Sequence, residues 1–219
     1  MQIIEKSNKR YWHPAGGKMV TKCNQTDPGA VPYVAQKGRN VGITQYRLQV
    51  DGLVGKITGM AYKKAENGFG PEFIIDIDDK DVISVGESSR YYERLASVID
   101  QIDPNEDVKF VPFSLAKKED PAKFISGWTI YQNGRKLVPV PELDPKDPAC
   151  QIPKGEPLMT STGKPVVGQD GRPTLDWSAK SDFLFGLIDA WMKANLDGKP
   201  KAAAPDEDGV AIEDDDVNY

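Results

Sequence analysis

Cysteine and histidine are scarce in this chain. It contains two cysteines, Cys23 and Cys150, and a single histidine, His13, among 219 residues. So few thiols and imidazoles exclude a disulfide framework and leave no Cys/His spacing typical of a zinc site. We therefore expect neither a metal nor a cofactor, and we interpret His13 as an ordinary surface residue beside Trp12.

Long apolar runs and catalytic motifs are also missing. No stretch approaches the roughly 18 apolar residues of a membrane-spanning helix, and MQIIEKSNKRYW lacks the apolar core of a signal peptide. We therefore expect a cytoplasmic protein that contacts no membrane. The phosphate loop GxxxxGK[ST], the nucleophile elbow and HExxH are absent as well. The sequence gives no positive case for an enzyme.

Basic residues are absent from the C-terminal end. The last fifteen residues hold seven of the 33 acids and none of the 28 Lys and Arg, so residues 1–204 carry a formal charge of +2 while the whole chain carries −5. A block of like charge this dense cannot be buried, and we expect residues 199–219 to form a disordered acidic tail. Solubility alone does not require the apolar residue and the aromatic ring at its tip.

The body alternates apolar and polar residues with the period of β-strands. QYRLQV (45–50) alternates in this way, and the glycines inside LVGKITGMAYKK (53–64) indicate strong bending. Asn133-Gly134 predicts a tight hairpin turn. Further strands are predicted at FIIDIDD (73–79), DVISVG (81–86), VKFVPFSLA (108–116) and ISGWTIY (125–131).

Two segments have the apolar spacing of helices. Residues 88–102 begin at Ser88 or Ser89 as a cap and end before Asp103-Pro104. Residues 181–198, which we expect Ser181 to cap and Gly198 to stop, are so apolar that they must pack on the domain or on another subunit.

The predicted fold is mainly β. A helix between the third and fourth strands is the arrangement of the five-stranded oligonucleotide-binding (OB) barrel, and the second helix follows it. A half-open sandwich is the alternative. We expect an irregular N-terminal arm at residues 1–38, with one short strand at most, and a binding domain at 39–198. Residues 139–177 are rich in Pro and Gly and predict an extended connection with at most one hairpin.

Aromatic and basic residues lie side by side on the predicted strands and loops. Single-stranded nucleic acid is held by this combination, because bases stack on flat rings while phosphates attract Lys and Arg. About half of the aromatic residues must instead belong to the core. The candidate nucleic-acid-binding residues are Tyr46, Arg47, Lys56, Tyr62, Lys63, Lys64, Phe113, Lys117, Lys118, Trp128, Tyr131, Arg135 and Lys136.

A cluster of acids suggests a second kind of site. Asp76, Asp78, Asp79 and Asp81 follow one another along FIIDIDDKD, and Mg²⁺ prefers carboxylate ligands. A metal-dependent nuclease is therefore an alternative function. We favour the simpler interpretation, in which an apolar strand runs into a charged and solvated turn.

In order along the chain, these motifs resemble the single-stranded DNA-binding proteins of bacteriophages. The resemblance covers about residues 41–198. It rests on LVGKITGMAY, FIIDIDD, the helix start SSRY, VKFVPFSL, GWTIYQNGRKLVP and DWSAKSDFLFGLIDAWM. It implies an OB fold that binds single-stranded DNA with little sequence preference, protects it in replication, recombination and repair, and catalyses no reaction. An RNA-binding OB module and a scaffolding protein with a solubility tail remain alternatives.

The end of the tail resembles the tip of bacterial single-stranded DNA-binding proteins, where acids precede an apolar and an aromatic residue. The resemblance implies that the tip binds a replication protein such as a polymerase, helicase, primase or recombinase. Tyr219 stands where that family often has Phe. The predicted partner-binding residues are Asp214, Asp215, Asp216, Val217 and Tyr219. The sequence is compatible with either a monomer or a homodimer. A phage-encoded chain would act in the host cytoplasm.

Overall fold

The computed structural model describes residues 9–34, 41–64, 70–118, 120–139, 152–168 and 171–196. The acidic tail and its predicted partner-binding residues, Asp214, Asp215, Asp216, Val217 and Tyr219, lie outside these ranges. Within them the protein is mainly β, with a mixed sheet and a C-terminal helix. This part of the predicted fold is confirmed.

The larger sheet has seven strands. They are β1 (Arg10–Ala15), β2 (Lys18–Cys23), β3 (Val31–Val34), β4 (Thr44–Val50), β6 (Ile57–Lys63), β7 (Glu72–Ile77) and β8 (Asp81–Gly86). Their order in the sheet is β3-β4-β2-β1-β8-β7-β6. Only the β1–β8 pair is parallel, and the other neighbours are antiparallel.

The smaller sheet has four strands. They are β5 (Leu53–Gly55), β9 (Val108–Ala116), β10 (Phe124–Gln132) and β11 (Arg135–Lys136), in the order β11-β10-β9-β5. The chain leaves the larger sheet after β4, enters the smaller one at β5 and returns at β6. Glycine is required at Gly55 in this path, because a Cβ there would collide with the Asp78 carboxylate. The predicted bending therefore occurs where the chain changes sheets.

Helices cover the core that the two sheets share. Helix α1 (Arg90–Ala96) is capped by Ser89, whose Oγ accepts from the Tyr92 backbone N–H at 3.2 Å. A 3₁₀ turn at Ile99–Gln101 follows, so the predicted helix 88–102 is broken in two. Helix α2 (Ser178–Leu196) begins three residues before Ser181, and the predicted cap at Ser181 is wrong.

The described part of the N-terminal arm, residues 9–34, belongs to the sheet, and there the expectation of an irregular arm is wrong. Three strands, β1 to β3, lie within it, and Trp12, Met19 and Val20 are buried. Because β1 pairs with β8, the edge of β8 is occupied. No ladder among the described residues closes the sheets into a barrel, so the predicted closed barrel is not observed.

Residues 155–168 and 171–175 form a small module with three copies of one motif, spaced eight residues apart: GEPLM (155–159), GKPVV (163–167) and GRPTL (171–175). Hydrogen bonds between equivalent positions close a ring. The Leu158 N–H donates to the Thr174 carbonyl at 2.8 Å, Val166 to Leu158 at 2.7 Å, and Thr174 to Val166 at 2.8 Å. Each repeat therefore bonds to both others. We expected residues 139–177 to form an extended connection with at most one hairpin. Residues 140–151 of that segment lie outside the described ranges, and in the described part this expectation is wrong because three pairings occur there.

The pairs of residues within the module also recur every eight residues. Met159 pairs with Pro165, and Val167 pairs with Pro173, eight residues further along. The third pair joins β12 (Glu156–Pro157) to β13 (Leu175–Asp176). At its base, Gly155 lies against the ring of Trp177, where a Cβ would come within 2.9 Å of Cε3. The module is thereby fixed to the start of α2.

His13 is not an ordinary surface residue. It lies on β1, and its Nε2 atom is buried with no hydrogen-bond partner among the described residues. Burial, followed by the positive charge of Arg47, lowers the pKa of His13 to about 4. The imidazole is therefore neutral in the folded protein at neutral and mildly acidic pH.

We expect His13 to make the protein sensitive to acid. Between pH 6.5 and about 4 the unfolded chain binds a proton at this residue and the folded chain does not. The contribution of neutral His13 to the free energy of unfolding is therefore fully present above pH 6.5. It decreases as the pH falls, and about 2–3 kcal/mol is lost at pH 4.5. Urea unfolding of wild type and His13→Leu at pH 7 and pH 4.5 measures this loss. A stability difference between the two proteins that does not change with pH would contradict the expectation.

Candidate nucleic-acid interface

The outer face of the smaller sheet places one tyrosine between two lysines. Lys136 on β11 pairs with Tyr131 on β10, Tyr131 pairs with Lys109 on β9, and Lys109 pairs with Val54 on β5. Paired residues on neighbouring strands lie on the same face, about 5 Å apart. The two lysines and Val54 are exposed, and Tyr131 is partly exposed. We call these four residues the tyrosine row.

The alternation of β9 and β10 explains why this face is polar. Val108 and Phe110 on β9, and Trp128 and Ile130 on β10, are buried in the core. Because successive residues of a strand point to opposite faces, the residues between them point outward. Lys109 therefore lies on the outside by the same pattern that buries its neighbours.

Three residues of the tyrosine row, Val54, Lys109 and Tyr131, line an open cleft of about 800 Å³. Lys56 and the turn residues Asn133 and Gly134 also line it. Both turn residues have positive φ, 51° and 74°, as the predicted hairpin turn requires. Glu106 and Asp107 also line the cleft. A bound polyanion would therefore have to keep its phosphates near the lysines and away from these two acids.

Phe113 provides a second aromatic surface on the same face. It pairs with Gly127, and a Cβ at that glycine would lie only 3.0 Å from Cζ of the Phe113 ring. The ring therefore lies across the glycine, in space that any other side chain would occupy. Phe113 lies four positions after Lys109 on β9, which is a distance of about 13 Å along the strand.

Trp128 does not belong to the interface. Its side chain is 1% exposed, and its ring packs 5.1 Å from that of Phe110 and 5.4 Å from that of Tyr91. It lies on the inner face of β10, in phase with Ile130. The prediction that Trp128 stacks on bases is corrected, because a buried ring has no free face.

Tyr62 is also a structural residue. Its hydroxyl lies 2.9 Å from that of Tyr92, and its ring packs between Phe73 at 4.8 Å and Phe185 at 4.9 Å. Burial, followed by this hydrogen bond, raises the pKa of Tyr62. The predicted role as a stacking platform is corrected here too. Lys63 and Lys64 follow it at the end of β6, at the far edge of the larger sheet.

The remaining predicted residues lie in three places. Tyr46 and Arg47 are on β4 in the larger sheet, where the Arg47 guanidinium lies 4.4 Å from the centre of the Tyr33 ring. Lys117 and Lys118 follow β9 in the turn of the β9–β10 hairpin. Arg135 is exposed on β11 beside Lys136.

The structure therefore brings together four predicted residues, Lys56, Phe113, Tyr131 and Lys136, on one face. It adds Lys109 and Val54, which the sequence analysis missed. The sequence does indicate that Lys109 faces outward, because in VKFVPF it lies between two apolar residues of a predicted strand.

Three of the four carboxylates in the acidic cluster make structural contacts. Asp76 is 2% exposed and pairs with Lys9 at 3.1 Å. Asp78 accepts from the backbone N–H of Lys56 at 2.9 Å, and Asp81 accepts from the Trp12 indole at 2.7 Å. The described residues contain no group of three or more His, Cys, Asp or Glu placed to bind a metal. This geometry gives no support to the nuclease alternative.

Comparisons with protein-family models, with curated proteins and with solved structures returned no match to this chain. Neither helix in the described ranges is long and apolar enough to cross a membrane.

Proposed function

We propose that this chain binds single-stranded DNA with little sequence preference through the outer face of β5, β9, β10 and β11. The observation that supports this most directly is the tyrosine row, in which a partly exposed ring lies between Lys109 and Lys136. A base can stack on the ring of Tyr131 while the two lysines contact the phosphates on either side of it.

The same geometry favours a single strand over a duplex. Stacking on Tyr131 requires a base whose flat face is accessible, and a duplex covers that face with the neighbouring base pairs. Phe113, about 13 Å further along the strand, offers a second base the same kind of contact. No base-specific hydrogen bonding is needed, so the binding is tolerant of sequence. RNA has the same bases and phosphates, and it remains the alternative ligand.

The chain topology supports an OB-type origin for this face. The bent segment β4–β5–β6 acts as a first strand that pairs with β7 through β6 and with β9 through β5. Then follow β7, β8, helix α1, β9 and β10, which places the helix between the third and fourth strands as in an OB barrel. In this proposal β1 occupies the edge of β8 and leaves the barrel open.

In the cell, the protein would cover single-stranded intermediates of phage DNA replication and recombination. Its basic face would protect the strand, while the tip of the acidic tail would recruit a replication protein. Acids on a tether followed by an apolar anchor are suited to a pocket on such a partner.

The test is a fluorescence titration with dT oligomers at several salt concentrations. We expect Tyr131→Ala to weaken binding by about 1–3 kcal/mol, which is roughly 5- to 150-fold. Tyr33→Ala, on the larger sheet, is the matched control and should bind as wild type does. Lys109→Ala should lower the slope of log affinity against log salt by about 0.7, whereas Lys63→Ala should not.

Two results would contradict this proposal. One is equal affinity of Tyr131→Ala and Tyr33→Ala for dT, together with an unchanged salt slope for Lys109→Ala. The other is equal affinity of the wild type for single-stranded and duplex DNA. Titration with rU oligomers of the same length decides between DNA and RNA.

A further inference from the structure

The β9–β10 hairpin extends beyond the body of the protein. The β1–β2 turn packs against it at Ser114, where a Cβ on Gly17 would lie 3.0 Å from the Ser114 nitrogen. Ser114 pairs with Ser126, and their hydroxyls lie 3.3 Å apart. Beyond this pair the inner face of the hairpin is no longer covered by the core.

The two pairs of residues beyond Ser114 are apolar and exposed. Leu115 pairs with Ile125, and Ala116 pairs with Phe124. The side chains of Leu115 and Phe124 are 61% and 58% exposed, and that of Ile125 is 39% exposed. We call these four residues the hairpin end. Contiguous exposed apolar patches, unlike single exposed apolar residues, mark binding surfaces, and Leu115 and Ile125 are paired neighbours on one face.

The hairpin end is apolar on both of its faces. Leu115 and Ile125 share the outer face with Phe113, because residues two apart in a strand point the same way. Phe124 lies on the opposite face, which is the face that Trp128 uses to enter the core further along β10. A single strand lying on the outer face would contact the first two residues, but it would leave Phe124 without a partner.

Hydrogen bonds link several of the described residues in the turn between the two strands (117, 118 and 120–123), three of which are lysines. The Lys117 N–H donates to the Lys123 carbonyl at 2.7 Å, and the Lys123 N–H donates to the Asp120 carbonyl at 2.9 Å. The Asp120 carboxylate accepts from the Ala122 N–H at 3.2 Å and pairs with Lys123. Lys117 and Lys118 supply further positive charge in the same turn. An apolar end beside lysines suits a ligand that has both flat apolar rings and phosphates.

We propose that the hairpin end binds the junction between single-stranded and duplex DNA. At a junction the last base pair has one uncovered face, and an apolar side chain can pack against it or insert beside it. Phe124 would cover that base pair, while Leu115 and Ile125 would contact the first unpaired bases. The lysines of the turn would contact the phosphates where the two strands part. This inference rests on the proposed binding of single-stranded DNA, because the outer face leads the strand to the hairpin end.

The test compares a dT single strand with the same strand joined to a duplex, using junctions of both polarities. The wild type should bind at least one junction about tenfold more tightly than dT alone, which corresponds to about 1.4 kcal/mol. Phe124→Ala should remove this preference while its affinity for dT stays within about twofold of the wild-type value. Phe124→Trp should retain the preference. A 2-aminopurine at the last base pair should report quenching or unstacking with the wild type but not with Phe124→Ala.

The outcomes separate this proposal from the previous one. Tyr131→Ala should weaken binding to dT and to the junction equally, so that their ratio is unchanged. If the wild type binds dT and the junction equally, the junction proposal is overturned and single-strand binding stands. It is also overturned if Phe124→Ala weakens both ligands by the same factor. If the wild type binds neither ligand, both proposals are wrong.

Discussion

Replacing Trp191 by alanine is expected to lower the free energy of unfolding by about 3–5 kcal/mol. The Trp191 side chain is 6% exposed in the core, and its indole N–H donates to the Ile102 carbonyl at 3.0 Å. Alanine removes the largest apolar contact of α2 and leaves that buried carbonyl without its donor. Thermal or urea unfolding measures the loss, and a change below about 1 kcal/mol would contradict the packing described here.

Phe185 is the matched control on the same helix. It is 47% exposed and contacts Tyr62 at the surface, so Phe185→Ala should cost far less than Trp191→Ala. Removing the helix altogether, by ending the chain at residue 177, should expose a large apolar surface and cause aggregation. If Phe185→Ala instead changes the oligomeric state, α2 also forms an interface between subunits, as the sequence left open.

Local patterns were sufficient to predict several strands of both sheets. The predicted bounds of β8 and β9 agree with the structure, and those of β10 differ by one residue at each end. Period-two alternation, the Asn133-Gly134 turn and a serine cap are each decided within a few neighbouring residues. For this reason they can be read without knowledge of the rest of the chain.

Pairing between distant residues could not be predicted in this way. Strand β1 contains Pro14, which disfavours a central strand, and it lies inside the sheet because β8, about seventy residues later, offers a parallel partner on the side opposite β2. That contact is absent from any local window. The repeat at residues 155–175 is a different case. Three glycines eight residues apart, each followed by a charged residue and proline, were visible in the sequence, and a search for internal repeats would have found them.

Only some residues of the candidate site were predicted correctly, because residue type alone does not show which face of a strand a side chain occupies. Tyr131 and Trp128 both lie on β10 beside basic residues, and composition does not distinguish them. Alternation along the strand distinguishes them, because Trp128 lies on the same face as the buried Ile130 and Tyr131 lies on the opposite face. Residue type indicates what a side chain can bind, whereas only the face of the strand decides whether a ligand can reach it.

Deleting residues 205–219 is expected to tighten binding to single-stranded DNA by about tenfold at low salt. The deletion removes seven acids and changes the formal charge from −5 to +2. The physical reason is competition, since the acids of the tail and the phosphates of DNA are attracted to the same lysines. A tethered competitor at about 1 mM effective concentration, with a non-specific dissociation constant of about 0.1 mM, weakens DNA binding by about this factor. The effect should shrink as salt screens the charges.

Changing Tyr219→Ala should separate the two roles proposed for the tail. The variant keeps all seven acids, so its affinity for DNA should equal that of the full-length protein. It lacks the aromatic ring of the tip, so its association with a replication protein should weaken, because that contact depends on an apolar anchor in a pocket. The decisive comparison is the dT affinity of full-length, tail-deleted and Tyr219→Ala protein at matched low salt. Identical affinities for all three would show that the tail does not compete for the lysines of the binding face. A tail deletion that tightens binding equally at low and high salt would show that charge is not the cause.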